Sequence, residues 1–178
     1  MRSAMPRFGM PPTWDRSSTA AGQLEHGKNA MSVKKLGDAF ASDLHAQFLR
    51  ALGFRKSARY FSRQCDGYVE AYQLEGSEWN AGEEPWLFHL TVRVRFDDVP
   101  PIDTAHSRAY HAAGRIERLI LSAPRTFELR SENRVALLST VRDIIVMASD
   151  ALPPHLPAAR ARARLRQFSP LTVPESSS

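Results

Sequence analysis

The sequence predicts an α+β fold: an antiparallel sheet of about four to five strands, with an N-terminal and a C-terminal long helix packed on it. Three stretches carry that expectation. Val33, Leu36, Phe40, Leu44, Phe48 and Leu52 recur every three or four residues, which sets them on one stripe of a helix. Trp86 to Asp97 alternates, with Trp86, Phe88, Leu90, Val92, Val94 and Phe96 on one side and His89, Thr91, Arg93, Arg95 and Asp97 on the other. Such alternation marks an antiparallel sheet with one packed and one polar face. Glu132 to Leu152 then returns to helical spacing.

Taken in order, residues 1–31 mix Pro, Gly, Ser, Thr and Met without periodicity and read as a disordered extension. Met31 opens the first patterned segment and reads as an alternative start. The first helix is expected over 33–52, with Gly53 as a left-handed cap and Phe54 folding back onto the last turn. A strand follows over 59–65, then the two-residue hairpin signal Asp66-Gly67 and a second strand over 68–75. Arg63 has the parity of Phe61, so either a bulge turns one of them or Arg63 is partly buried and paired. A polar loop from Gly76 to Pro85 leads into the long strand.

Pro100-Pro101 breaks the chain, and Asp103 is a candidate cap for a short helix reaching Ala113 and ended by Gly114. Arg115 to Ser122 fits strand and continued helix alike, and Thr126 to Leu129 reads as a short strand. Ser131 is the candidate N-cap of the second long helix. Its main stripe is Val135, Leu138, Val141, Ile145, Ala148 and Leu152, and Leu137, Ile144 and Ala151 add a second. So wide an apolar face needs a cover. Another helix of the same chain is expected, making a monomer, with a homodimer as the alternative. Pro153-Pro154 ends the helix, and a third is expected over 158–167. The organisation is thus one α+β domain over 32–157 and a basic tail over 158–178, partly helical or disordered.

Leu52-Gly53-Phe54-Arg55-Lys56, Phe61-x-Arg63, a strand holding Gln73 with Ser77 close behind, Arg115-Ile116 with Leu119, and Leu152-Pro153 occur in an order that resembles a bacterial family catalogued as domain of unknown function 4304. The resemblance spans about residues 33–157, and departs where Glu117 replaces the family's glycine and Phe127 its tryptophan pair. It implies helices on an antiparallel sheet, and no activity.

Composition narrows the classes. A chain of 178 residues suits one domain, and 43% hydrophobic with 24% charged residues is ordinary for a globular protein. No apolar run approaches the ~20 residues that span a bilayer, and the first thirty have no apolar core of a signal peptide, so no membrane partner is expected. Cys65 stands alone, which excludes an intramolecular disulfide and favours the cytoplasm. The net charge is +5, but residues 32–157 hold 16 basic and 16 acidic residues, so the excess lies in the two ends. A nucleic-acid-binding domain carries its basic patch on the fold, so nucleic acid is not the expected partner. The Arg160, Arg162, Arg164, Arg166 run is the one place for phosphate contact, against a solvated tail as the plainer reading. Arginine outnumbers lysine 20 to 4, which reads as the coding bias of a GC-rich bacterium and not as function.

The chemistry-bearing residues give little. No histidine pair has the spacing of a metal site, and the histidines read as ordinary surface residues. There is no G-x-S-x-G and no phosphate-binding loop. Cys65 lies beside Asp66, whereas a reactive cysteine needs electropositive surroundings. Glu83-Glu84 and Asp97-Asp98 are neighbours in loops, not a facing pair. No catalytic residue, metal or cofactor is therefore assigned. The polar sheet face is the candidate site: His89, Arg93 and Arg95, with Gln73 or Arg63 beside them, could hold an anionic ligand or a partner's acidic groups. Cross-strand pairing with Glu70 or Glu75 is the plainer alternative. The expected function is a non-catalytic protein-binding module, immunity-like or accessory. A small-molecule or anion-binding domain or cryptic enzyme on the polar face comes second, and nucleic-acid contact through the tail third.

Overall fold

The computed structural model describes residues 32–80, 82–100 and 110–171. In chain order its elements are α1 (Val33–Leu44), β1 (Arg55–Ser57), β2 (Tyr60–Cys65), β3 (Tyr68–Gly76), β4 (Trp86–Phe96), β5 (Ala112–Arg115), β6 (Phe127–Leu129), α2 (Arg134–Ala151), α3 (Leu156–Arg164) and β7 (Ser169–Pro170). The expected disordered extension, the Asp103-capped start of a helix and the end of the tail fall outside the described residues.

The fold is α+β, with β4 at the centre of the sheet. One edge of β4 carries β3, antiparallel, from Tyr68↔Phe96 to Gly76↔Phe88. The other edge is shared, β5 pairing with Thr91 to Val94 and β6 with Trp86 to Phe88. Outside β3 lie β2 and then β1, all antiparallel, and outside β5 lies β7, in parallel. The alternation in β4 is realised: Trp86, Phe88, Leu90, Val92, Val94 and Phe96 are all buried. Their side of the sheet is covered by α1 and α2, which also pack on each other. Rings of Trp86 and Phe88 stack with centroids 4.6 Å apart, and Phe127 stacks on Phe88 at 5.0 Å. A Cβ on Gly37 would come within 2.9 Å of the Trp86 ring, so the missing side chain sets how closely α1 lies on β4.

α1 runs on into a π-helical turn, His45–Leu49, and ends in a Schellman cap. Phe54 N–H donates to Leu49 O at 3.0 Å, Gly53 N–H donates to Arg50 O at 3.1 Å, and Gly53 has φ 84°. The helix stop at Leu52-Gly53-Phe54 is where the sequence puts it. The wider π turn shifts the phase of the stripe, however, so that Leu49 is buried and Leu52 is exposed. The hairpin at Asp66-Gly67 forms with Cys65 opposite Tyr68.

Other expectations are corrected. Residues 112–115 are the strand β5, followed by a single 3₁₀ turn, Ile116–Arg118. The residue at the N-cap position of α2 is Asn133, not Ser131; its side chain makes no bond to the first turn of the helix, its Oδ1 accepting instead from Arg130 N–H upstream at 2.9 Å. Ser131 instead binds Glu84, whose carboxyl is held below its usual range by the Ser131 hydroxyl and backbone N–H. With the helix starting there, Val135 projects from its first turn and is exposed. The wide apolar face of α2 is covered within the chain, since Ile144 is buried and Leu137 and Ala151 pack on the core. The C-terminal part belongs to the fold as well. Ala159 and Ala163 of α3 are buried, Arg160 lies 4.9 Å over the Phe96 ring, and its Nη2 donates to Gly67 O at 3.0 Å. No helix among the described residues is long and apolar enough to cross a membrane.

Candidate binding site

Register decides which of the candidate residues share a face. Tyr60, Gln73, Thr91 and Arg115 form one row across β2, β3, β4 and β5, on the polar side. Arg93 and His89 lie on the same side of β4, one step to either hand. Arg93 Nη2 donates to Glu75 Oε1 at 2.6 Å, and its guanidinium lies 5.2 Å over the Tyr110 ring. Tyr110 in turn donates its hydroxyl to that of Tyr60. Thr91 is only 7% exposed, and among the described residues neither its Oγ1 nor Arg93 Nε has a hydrogen-bond partner. His89 Nδ1 donates to Arg125 O at 2.7 Å. Arg95, opposite Val69, is exposed. Of the arginines on this face, Arg93 is thus neutralised within the chain, by the cross-strand pairing with Glu75 expected as the plainer reading.

Arg63 is not part of this face. It stands opposite Glu70, and Glu70 opposite Val94, so both charged groups lie on the packed side. Arg63 Nε and Nη2 donate to Glu70 Oε2 at 3.2 and 3.1 Å, and the guanidinium covers the Phe54 ring at 4.7 Å. Desolvation pulls the Arg63 pKa down, but the charge and hydrogen bond of Glu70 outweigh it and hold it above its usual value. Ser149 of α2 donates to Glu70 Oε1, and Tyr72 donates to Ser149 Oγ at 3.1 Å. Cys65 Sγ donates to Glu70 Oε2 at 3.6 Å. Burial, with the Glu70 carboxylate adding to it, pushes the Cys65 thiol up, the wrong direction for a nucleophile. Burial also pushes Tyr68 up to about 12. No group of three or more His, Cys, Asp or Glu able to hold a metal ion exists among the described residues.

The histidines are not simply surface residues. His111 is buried: its Nδ1 accepts from Phe96 N–H at 2.9 Å, which leaves Nε2 to donate to Pro100 O at 3.0 Å. It fastens the start of β5 to the end of β4.

A broad concavity lies where β3 outruns β2. After Leu74 N–H donates to Arg59 O, β3 has no neighbour on that side among the described residues. The cleft there is about 780 Å³, and is bounded by the start of α1, the β1–β2 turn, the end of β3 and the following loop. Arg59 crosses it: Nε donates to Asp38 Oδ1 at 2.8 Å, Nη2 to Lys34 O at 2.9 Å, and the guanidinium rests 4.6 Å from the Trp86 centroid. Asn80 pins the loop, accepting from Leu87 N–H at 2.7 Å and donating to Ser77 O and Leu87 O at 2.9 Å. Gln73 enters from the polar face. Its amide and the Lys34 ammonium bind no partner among the described residues. Lys34, Arg59 and Asn80 escaped the sequence reading because the pair Arg59–Asp38 joins a turn to a helix far apart in the chain. A smaller hollow of about 510 Å³ lies between the Asp66-Tyr68 hairpin and α3.

Among known proteins, the chain matches no family model, no curated protein and no solved structure.

Proposed function

We propose that this protein is a non-catalytic binding module, accessory or immunity-like, that receives a segment of a partner protein in the cleft between α1 and the end of β3. The carrying observation is the state of the cleft's polar groups. Asp38 and Glu75 are already paired with Arg59 and Arg93, while Gln73 and Lys34 are left to a partner. The cleft is broad and open, whereas small-molecule sites enclose most of their ligand in apolar walls. A protein segment laid along the edge of β3 that no described residue pairs with would find backbone groups there as well. The test is photo-crosslinking in the source cell. A crosslinking residue in place of Gln73 is expected to give a discrete adduct, and the same residue in place of Thr140, on the exposed side of α2, none. Equal labelling from both positions, or none from Gln73, would sink the proposal.

A second reading places a small ligand on the polar sheet face, and the unpartnered Thr91 Oγ1 and Arg93 Nε favour it, since buried polar atoms ordinarily find a partner. It ranks lower because Glu75 already neutralises Arg93. Nucleic-acid contact through the tail ranks third, because Arg160 and Arg164 are engaged with Asp98.

A further inference from the structure

We infer that the C-terminal end of α3 is a docking surface for an anionic lipid bilayer. Leu165 is 70% exposed and Phe168 55%, three residues apart in the chain. Neither lines the two hollows described above. Arg162, Arg164 and Arg166 are interleaved with them. Arg162 and Arg166 have no ion pair among the described residues, and Arg164 stays largely exposed beside Asp98. α3 turns Ala159 and Ala163 to the core and Arg160 and Arg164 towards Asp98, which leaves Arg162 on the helix and Arg166 just past its end exposed.

The turn itself is fixed. Gln167 N–H donates to Arg162 O at 3.0 Å and Arg166 N–H to Ala163 O at 2.8 Å, a Schellman cap with Arg166 at φ 56°. Glycine would relieve the backbone at that position, yet a guanidinium stands there. The result is a protruding leucine and phenylalanine among arginines. A rigid protein would need a cavity to receive them. A bilayer interface yields around them, taking the apolar side chains to the acyl boundary and the guanidinium groups to the lipid phosphates. Single-stranded nucleic acid would stack on Phe168 and leave Leu165 in water. The bilayer therefore accounts for both residues, and this surface is independent of the cleft.

The test is co-sedimentation of the full chain with vesicles of phosphatidylcholine and phosphatidylglycerol, and with vesicles of phosphatidylcholine alone. Binding is expected to the first and not the second, and to weaken as salt is raised. The pair Arg162→Gln and Arg166→Gln is expected to weaken it about thirtyfold, at about a factor of five per arginine near an anionic surface. The pair Leu165→Ser and Phe168→Ser is expected to weaken it more than about tenfold, because the apolar burial is lost. No binding of the full chain to the anionic vesicles would overturn the inference. So would equal binding to both vesicle types, or binding that both variant pairs retain. Binding to a single-stranded oligonucleotide with no vesicle binding would give the surface to nucleic acid instead.

Discussion

Arg63 and Glu70 face each other across β2 and β3 on the packed side of the sheet, with Nη2 3.1 Å from Oε2, and the Glu70 side chain is 1% exposed. The two ends of the pair are not equivalent, because Arg63 keeps partial access to water. Arg63→Ala leaves a buried carboxylate without its charge partner and is expected to cost about 3–4 kcal/mol. Glu70→Gln can keep an acceptor for Ser149 and leaves Arg63 partly hydrated, so about 1–2 kcal/mol is expected. Urea unfolding of the two variants checks this. Equal losses would mean that Glu70 is reached by water.

Neighbouring positions on β4 should respond oppositely. Leu90→Ala opens a cavity under α1 and α2 and is expected to cost about 2–4 kcal/mol. Thr91 is also buried, but its hydroxyl has no partner among the described residues. Thr91→Val keeps the shape and removes that hydroxyl, so a change between zero and about 1 kcal/mol of added stability is expected. A loss above about 1 kcal/mol in denaturant melts would show that the hydroxyl has a partner, such as a bound ligand.

What was legible in the sequence is what local patterning encodes. The stripe of α1, the Gly53 stop, the Asp66-Gly67 hairpin and the alternation of β4 each follow from spacing or from a glycine conformation. What was not legible depends on partners distant in the chain. β1, β5 and β7 have four residues or fewer, too short to show a period, and exist because a neighbouring strand pairs with them. The position of Arg63 was half legible: its parity with Phe61 left either a bulge or a partly buried, paired arginine, and only the register decided for the second and named Glu70. The cleft could not be foreseen, since α1, the β1–β2 turn and the end of β3 meet only in three dimensions.

Alkaline pH should unfold the protein earlier than exposed tyrosines would allow. Tyr68 is raised from 10.0 to about 12, and Tyr72 is raised well above the same value, both first by burial. A raised pKa means that the folded state holds its proton more tightly than the unfolded state. The contribution is therefore complete below pH 10 and is lost as pH rises towards about 12. The melting temperature is expected to fall across that window, and less steeply in Tyr68→Phe. An identical slope in the variant would remove Tyr68 from the account. By the same logic Cys65 should alkylate more slowly than a free thiol at neutral pH, and Glu70→Gln should speed it.

The docking of the C-terminal segment rests on a missing methyl group. Leu171 N–H donates to Ala113 O at 3.0 Å, and a Cβ on Gly114 would meet Leu171 O at 2.4 Å, a backbone atom that cannot swing aside. Gly114→Ala must therefore displace Leu171, which is buried, and with it the parallel pairing of β7 to β5. The core between α1, α2 and β4 is untouched, so the chain should still fold, at a cost of about 1–3 kcal/mol. Limited proteolysis should then trim the C-terminus up to the end of α3, where the wild type resists. Leu171→Ala removes the same docking from the other side, and the two changes should be less than additive when combined. If Gly114→Ala melts like the wild type and its C-terminus stays protected, β7 is not held by this contact. Full additivity would mean that Gly114 acts on β5 alone.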